Sequence, residues 1–161
     1  MTYQELMTTL NSYKLAVTTM SFDSQTIAPK DGAAVRNQAI AFLAGEYFAL
    51  LTSEKAIETL EKASLDTNDV VAESAKSMLK SLKKDMNTPK SEYVAFQQLT
   101  QDAQQSWEQA REAQDYSLFE GDLKAIIESS KNMIRYRNDG LALYESSLDD
   151  YEEGLRSYHV D

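Results

Sequence analysis

The sequence predicts an all-α protein, an antiparallel bundle of about six or seven helices. Apolar residues recur at three- and four-residue spacing through most of the chain, which is the period of an amphipathic helix. Only two prolines and five glycines interrupt this pattern. No stretch rich in Val, Ile and Thr alternates with period two, so nothing in the sequence indicates a sheet.

The first helix opens with a capping box, because Glu5 follows Thr2 at the third position. Its apolar stripe contains Leu6, Met7, Leu10 and Val17. The polar segment Ser21–Asp31, with Pro29 inside it, is interpreted as a connection that ends at Gly32. The second helix is predicted to bury one side, formed by Val35, Ala39, Phe42, Leu43, Tyr47 and Leu50.

Three further helices follow with recognisable start signals. Ser53 can cap a short helix that runs through Leu60. Asp66–Asp69 supplies cap chemistry and an acidic first turn for the next helix. That helix carries the stripe Val71, Ala75, Met78, Leu79, Leu82 and Met86. Pro89 suits the first position of a fifth helix, whose stripe is Tyr93, Phe96, Leu99, Ala103, Trp107 and Ala110.

The last third of the chain predicts two more helices. The stripe of the first contains Phe119, Leu123, Ile126, Ile127, Met133 and Ile134. Asn138-Asp139-Gly140 is typical of a helix end with glycine in the left-handed conformation. Leu141–Tyr151 predicts a short final helix, stopped at Gly154. We therefore expect residues 1–161 to form a single helical domain.

Composition excludes several classes of function. Sixteen basic and 26 acidic residues give a formal net charge of −10, which argues against a duplex-binding surface and hence against a nucleic-acid partner. There is no apolar run long enough to span a membrane, and the first residues lack the basic and apolar parts of a signal peptide. With no cysteine, disulfides and thiolate sites are excluded, and we expect a cytoplasmic protein.

The sequence offers little catalytic equipment. His159 is the only histidine and lies close to the end of the chain, where a frayed terminus does not hold a catalytic base. Asp66–Asp69 lacks the central glycine of a calcium loop, and capping is the favoured interpretation. Asp149–Glu153 is typical of a solvated helix end. We therefore predict no catalytic residue and no metal ligand in this chain, and leave substrate-binding residues unassigned.

The aromatic residues around Trp107 allow two interpretations. An aromatic stripe at helical spacing is usually core, so we expect the Trp107 ring to be buried against Phe96 or Leu123. The alternative is a surface that stacks on a ligand. Arg111 follows one turn after Trp107, where it could stack on the indole or pair with a carboxylate.

Three segments carry a family resemblance. Residues 107–111, followed by residues 115–119 and Leu123, resemble a W-x-x-A-R…D-F-x-x-F…L signature. Tyr144–Gly154 resembles Y-D-x-L-L-D-x-Y-E-P-G. The earlier residues are similar to a W-D-x-x-T…P…G…R segment, with Phe22-Asp23-Ser24-Gln25-Thr26, Pro29, Gly32 and Arg36 in its places. All three occur, in this order and at about this spacing, in the Taq-type thermostable metallocarboxypeptidases.

The resemblance implies the N-terminal part of a longer, almost wholly helical enzyme. Members of this family form homodimers and remove C-terminal residues from peptides with a zinc or cobalt ion. The metal is held by an H-E-x-x-H helix and a further glutamate, located beyond the segment that corresponds to Tyr144–Gly154. The N-terminal helices form one wall and the lid of the substrate groove. Because this chain has a single histidine, we expect it to be inactive alone and to lack a tight zinc site.

The chain also departs from the family pattern. Phe22 replaces the usual tryptophan, Glu145 the usual aspartate and Glu153 the usual proline, and Phe48-Ala49 replaces His-Glu. These changes leave open an alternative function, a non-enzymatic helical interaction module descended from such a domain. We also expect an open apolar face to drive homodimer formation, with candidate residues Ile40, Phe48, Leu143 and Leu148.

Overall fold

A computed structural model describes residues 1–160, which form seven α-helices, two short 3₁₀ helices and no strand. The α-helices are α1 (Tyr3–Thr26), α2 (Ala33–Leu51), α3 (Glu54–Ala63), α4 (Asp69–Asp85), α5 (Lys90–Ala113), α6 (Ser117–Arg137) and α7 (Leu143–Leu148). The 3₁₀ helices are Lys30–Gly32 and Ser157–His159. The prediction of an all-α fold is confirmed. Within the described range, no helix combines the length and the apolar character needed to cross a bilayer.

The predicted helix starts are confirmed by their hydrogen bonds. The Thr2 hydroxyl accepts the backbone N–H of Glu5, and the Glu5 carboxylate accepts that of Thr2, which completes the capping box of α1. Ser53 caps α3 and Asn68 caps α4, each through a side-chain oxygen. Pro89 was predicted to occupy the first position of α5, but it is the N-cap residue, and the helix begins one residue later, at Lys90.

Two predicted boundaries were wrong. The segment expected to be a connection from Ser21 onwards is helical as far as Thr26, which leaves only a short link before α2. The Thr26 hydroxyl donates to the Phe22 carbonyl at 2.8 Å, so a polar sequence here is compatible with a helix. The final helix ends at Leu148 rather than at Tyr151. The Asp149 carboxylate accepts the N–H of Gly154 and holds the following residues as turns.

One apolar cluster joins the first, third and fourth helices. Its members are almost completely buried: Leu6, Leu10, Ala56, Leu60, Ala63 and Ala75. Partly buried apolar residues surround it, among them Tyr47 and Leu79. The Tyr3 hydroxyl adds a hydrogen bond to the Ser74 hydroxyl of α4 at 3.0 Å. This cluster fixes the α3–α4 pair against the first half of α1.

A second group of buried residues lies between α2 and α5. The buried side of α2 consists of Ala33, Asn37, Ile40, Ala41, Ala44, Gly45 and Phe48. The Phe48 and Tyr93 rings stack with their centroids 4.2 Å apart. A Cβ at Gly45 would lie 2.5 Å from the Val94 Cγ2, so glycine is needed for the two helices to approach this closely. Outside this layer, α6 packs against α5, and none of the residues of α6 is fully buried.

Several side chains predicted to be core are exposed. Val35 and Phe42 are 72% and 63% exposed, because α2 is apolar on nearly every side and buries the side with its small residues instead. The prediction of a buried Trp107 was wrong, since this residue is 40% exposed. The Arg111 guanidinium carbon lies 4.9 Å from the centre of the Trp107 ring, so the predicted cation–π contact is present at the surface.

The residues expected to form an open dimer face are mostly inside the protein. Ile40, Phe48 and Leu148 are buried, and Leu143 is half-buried, so this assignment was wrong. The exposed apolar residues of the first two helices and their link are instead Leu15, Phe22, Ile27, Val35 and Phe42.

We expect Leu60→Ala to lower the free energy of unfolding by about 2–5 kcal/mol, because the Leu60 side chain is completely buried. Trp107→Ala should cost less than Leu60→Ala, because much of the indole already contacts solvent. Urea unfolding followed by circular dichroism measures both changes. A larger loss of stability for Trp107→Ala than for Leu60→Ala would contradict this assignment of the core.

Candidate functional site

A polar pocket of about 320 Å³ lies where the end of α1 and the start of α2 face the middle of α5. From α1 and the following link, the lining residues are Ser21, Ser24, Gln25, Thr26, Ala28, Lys30 and Asp31. From α2 and α5, they are Ala33, Arg36, Asn37, Gln101, Gln104, Gln105, Glu108 and Gln109. Amides and hydroxyls predominate, so the pocket is equipped for hydrogen bonding.

The Arg36 guanidinium ties the edge of this pocket together. Its Nε donates to the Ser24 hydroxyl at 3.2 Å, and Nη2 donates to the Pro29 carbonyl at 2.8 Å. A Cβ at Gly32 would lie 2.7 Å from Nη1, so a larger residue there would push the guanidinium away from these acceptors. The segment Phe22–Arg36, the first of the three motifs along the chain, therefore has a physical role: it builds one wall of the pocket.

Asn37 lies at the bottom of the pocket and is only 4% exposed. Its Nδ2 donates to the Asp102 carboxylate at 2.9 Å, which fixes the carboxamide against α5. Gln98 donates to the same carboxylate. No hydrogen bond from the described residues reaches the Asn37 Oδ1, which leaves an acceptor for a ligand.

The charges around the pocket are balanced. Lys30 and Arg36 are opposed by Asp31 and Glu108, so the lining has no net charge. Lys30 lies 3.8 Å from Glu112 in an exposed ion pair, which contributes little to stability. Within the described part of the chain, Arg36 has no carboxylate within ion-pair distance. The pocket is therefore better suited to a polar, uncharged group than to a strong anion.

The segment that follows α7 is held by a second polar cluster. The Asp149 carboxylate accepts hydrogen bonds from the Gly154 N–H and the Arg156 guanidinium, both at 3.0 Å, and from Lys84 at 3.3 Å. These three donors lower the pKa of Asp149 from its usual 3.8 to about 2. Asp149 thus remains charged at neutral pH and anchors the turn to α4.

Neighbouring contacts extend this anchor. The Asp150 carboxylate lies 2.8 Å from the Arg137 guanidinium of α6 and 3.0 Å from Lys84. The Glu145 carboxylate accepts the hydroxyl and the backbone N–H of Ser157, which lowers the Glu145 pKa. The third motif, Tyr144–Gly154, therefore serves to attach the end of the chain to α4 and α6.

The described residues do not fit a catalytic metal site. Zinc enzymes hold the metal through three nitrogen, sulfur or oxygen ligands that converge on one point. The single His159 is exposed, and its Nδ1 already accepts the backbone N–H of Arg156 at 3.1 Å. Over residues 1–160, no group of three or more His, Cys, Asp or Glu side chains converges in this way.

Comparison with known proteins connects these motifs to one family. The model of the Carboxypeptidase Taq (M32) metallopeptidase family matches residues 2–161. The chain belongs to this family. The resemblance expected from the three motifs is confirmed.

Members of the M32 family share both sequence and fold with this chain. Carboxypeptidase 1 of Bacillus subtilis (strain 168) is 30% identical over 155 residues, which are 94% of this chain and 31% of that protein. The BsuCP crystal structure has a TM-score of 0.89 and 29% identity over 98% of this chain and 32% of its own. The Pyrococcus furiosus carboxypeptidase structure has a TM-score of 0.67 and 26% identity over 99% of this chain and 34% of its own. This M32 chain spans about a third of the length of its relatives.

Sequence reasoning assigned no binding residue, and it missed the polar pocket. The acidic residues that it considered lie elsewhere: Asp66–Asp69 precedes or begins α4, and Asp149–Glu153 belongs to the turn after α7. The signals that could have located the pocket were Arg36 in the first motif and the recurrence of glutamine every four residues along α5. Exposed glutamines are common on helices, so this signal gains meaning only from the neighbouring helices.

We expect Asp149→Asn to lower the melting temperature at pH 7. A carboxylate with a folded pKa of about 2 and an unfolded pKa of 3.8 stabilises the folded state at pH values above the unfolded pKa. This stabilisation disappears as the pH falls from about 5 towards 2, so the difference between variant and parent should shrink over that range.

Thermal melts at a series of pH values measure the effect. Asp31→Asn is the matched control, because Asp31 is exposed and forms no ion pair with any described residue. A difference between Asp149→Asn and the parent that stays constant from pH 7 to pH 2 would contradict the anchoring role.

Proposed function

We propose that this chain forms the N-terminal substrate-groove and lid region of a metal-dependent carboxypeptidase that removes C-terminal residues from peptides. The observation that carries this proposal is the family match over residues 2–161. The high structural similarity to BsuCP over 98% of this chain supports it. In this proposal, the zinc or cobalt ion is held by residues outside the described part of the chain.

The polar pocket supports a role in binding rather than in bond cleavage. Arg36 is held in place by the Ser24 hydroxyl and the Pro29 carbonyl, so its remaining N–H groups point in defined directions. Asn37 presents an acceptor from a buried position. Such preorganised polar groups bind and orient a ligand at low entropic cost. We assign this chain the task of positioning the peptide, while proton transfer and hydrolysis belong to groups elsewhere in the enzyme.

A chimera tests the proposal. The matching third of B. subtilis Carboxypeptidase 1 is replaced by this chain, and release of C-terminal amino acids from a peptide is measured with and without added metal. We expect metal-dependent release by the chimera, because the two segments share their fold. The isolated chain should release none under the same conditions, since residues 1–160 hold no group of side chains that fits a metal site.

A chimera that folds and binds metal but releases no amino acid would contradict the proposed function. The alternative of a non-enzymatic helical interaction module would then be favoured. If the chimera is nearly as active as the parent enzyme, the alternative of a non-enzymatic interaction module is excluded.

We also propose that the chain self-associates through the exposed apolar side chains of α1 and α2. Leu15 and Phe22 are seven residues apart on α1, and Val35 and Phe42 are seven apart on α2, so each pair shares a helix face. A face of this kind is typical of a contact between copies. The net charge of −10 opposes association.

We therefore expect a dimer that tightens with added salt, because salt screens the repulsion between two acidic copies. Sedimentation at low and high salt measures this. Phe42→Ser should weaken the dimer, whereas Leu65→Ser, at an exposed position after α3, should not. A monomer at both salt concentrations would contradict the proposed contact.

A further inference from the structure

We infer that three glutamines of α5 form a ladder that hydrogen-bonds the backbone of an extended peptide in the polar pocket. The ladder consists of Gln101, Gln105 and Gln109, and Asn37 faces it from α2. This inference rests on the proposed function and deepens it, because it names the surface that takes the peptide and the peptide group as what is recognised.

The spacing of the ladder matches an extended chain. Residues four apart lie on one face of a helix and are separated by about 6 Å along its axis, so the ladder is about 12 Å long. In an extended peptide, equivalent groups recur every two residues, or about 6.6 Å. Three successive carboxamides can therefore meet peptide groups over about four to five residues of an extended chain.

The ladder carboxamides are free to bind. Within residues 1–160, no hydrogen bond involves the side chains of Gln101, Gln105 or Gln109. Two other glutamines of α5 are already occupied, since Gln98 donates to Asp102 and Gln104 donates to Glu108. Gln97 continues the four-residue repeat but does not line this pocket. The three free residues are the ones that recur on the pocket side of α5.

A peptide group is the natural partner of a carboxamide. Each glutamine carries one carbonyl oxygen and one NH₂ group, so it can accept from a backbone N–H and donate to a backbone C=O. The unpartnered Oδ1 of Asn37 supplies a further acceptor for a backbone N–H, from a side chain that is only 4% exposed. Hydrogen bonds to the peptide backbone do not depend on the side chains of the peptide, so they suit a surface that accepts many peptide sequences.

Other ligand classes fit the pocket less well. An anion would meet Asp31 and Glu108 as well as Lys30 and Arg36, so the electrostatic attraction largely cancels. The described lining contains no aromatic residue on which a sugar or a nucleobase would stack. The volume of about 320 Å³ is at the small end of ligand pockets and suits a narrow peptide backbone.

Titration of the isotope-labelled chain with acetyl-pentaalanine amide tests the ladder by nuclear magnetic resonance. We expect the side-chain amide signals of the three ladder glutamines and of Asn37 to shift. Gln105→Leu should weaken binding roughly fivefold or more, because leucine retains the bulk of the side chain but forms no hydrogen bond. Gln38→Leu, the same change at an exposed position of α2 outside the pocket, should leave the affinity unchanged.

A second probe distinguishes backbone recognition from other contacts. A pentaalanine peptide with N-methylated peptide bonds lacks the backbone N–H groups and should bind roughly tenfold more weakly. Equal binding of both peptides, shifts confined to another surface, or stronger binding of maltotriose would overturn the ladder. Matching melting curves for Gln105→Leu and Gln38→Leu ensure that a loss of binding is not a loss of folding.

The outcome separates the ladder from the proposed function. An active chimera whose activity on long peptides is unaffected by Gln105→Leu would overturn the ladder alone. An inactive but folded chimera would overturn the proposed function, while peptide shifts at the three glutamines would still establish the ladder.

Discussion

The close contact between α2 and α5 at Gly45 positions the helices that form the polar pocket. A Cβ there would collide with Val94, so the approach requires glycine, and the neighbouring Ala41 and Ala44 are buried as well. With α5 on one side and α1 on another, α2 becomes the central helix. Its first turns then face the middle of α5, which brings Arg36 and Asn37 opposite the glutamines.

Polar chemistry is concentrated where helices begin and end. Arg36 connects the end of α1 to the link before α2, and Asp149 connects the turn after α7 to α4. Arg36 donates to the Ser24 hydroxyl and the Pro29 carbonyl, and Asp149 accepts the Gly154 N–H, so each side chain fastens a segment that adjoins a helix end. The motifs shared with the M32 family thus combine two tasks in this chain: the first builds a pocket wall, and the third attaches the C-terminal segment.

The candidate site was only partly visible in the sequence. Arg36 stood out because it belonged to a motif, but its partners Ser24 and Pro29 were part of a segment interpreted as a connection. The glutamines of α5 resembled ordinary surface residues, since a single helix does not show what lies opposite it. The sequence did not indicate a role for Asn37, because its carboxamide is held in the protein by Asp102, which is 65 positions away in the chain.

The sequence by itself determined the elements. Capping at Thr2, Ser53 and Asn68 depends on neighbours within a few positions, and helical periodicity is likewise local, so both were predictable. Tertiary structure decided which sides of the helices are buried. Because α2 is apolar all round, periodicity could not predict whether the side with Phe42 or the side with the small residues is buried. Close packing between helices buries the side with the small residues and leaves Phe42 exposed. The same long-range packing left Trp107 at the surface and assembled the pocket from three separate segments.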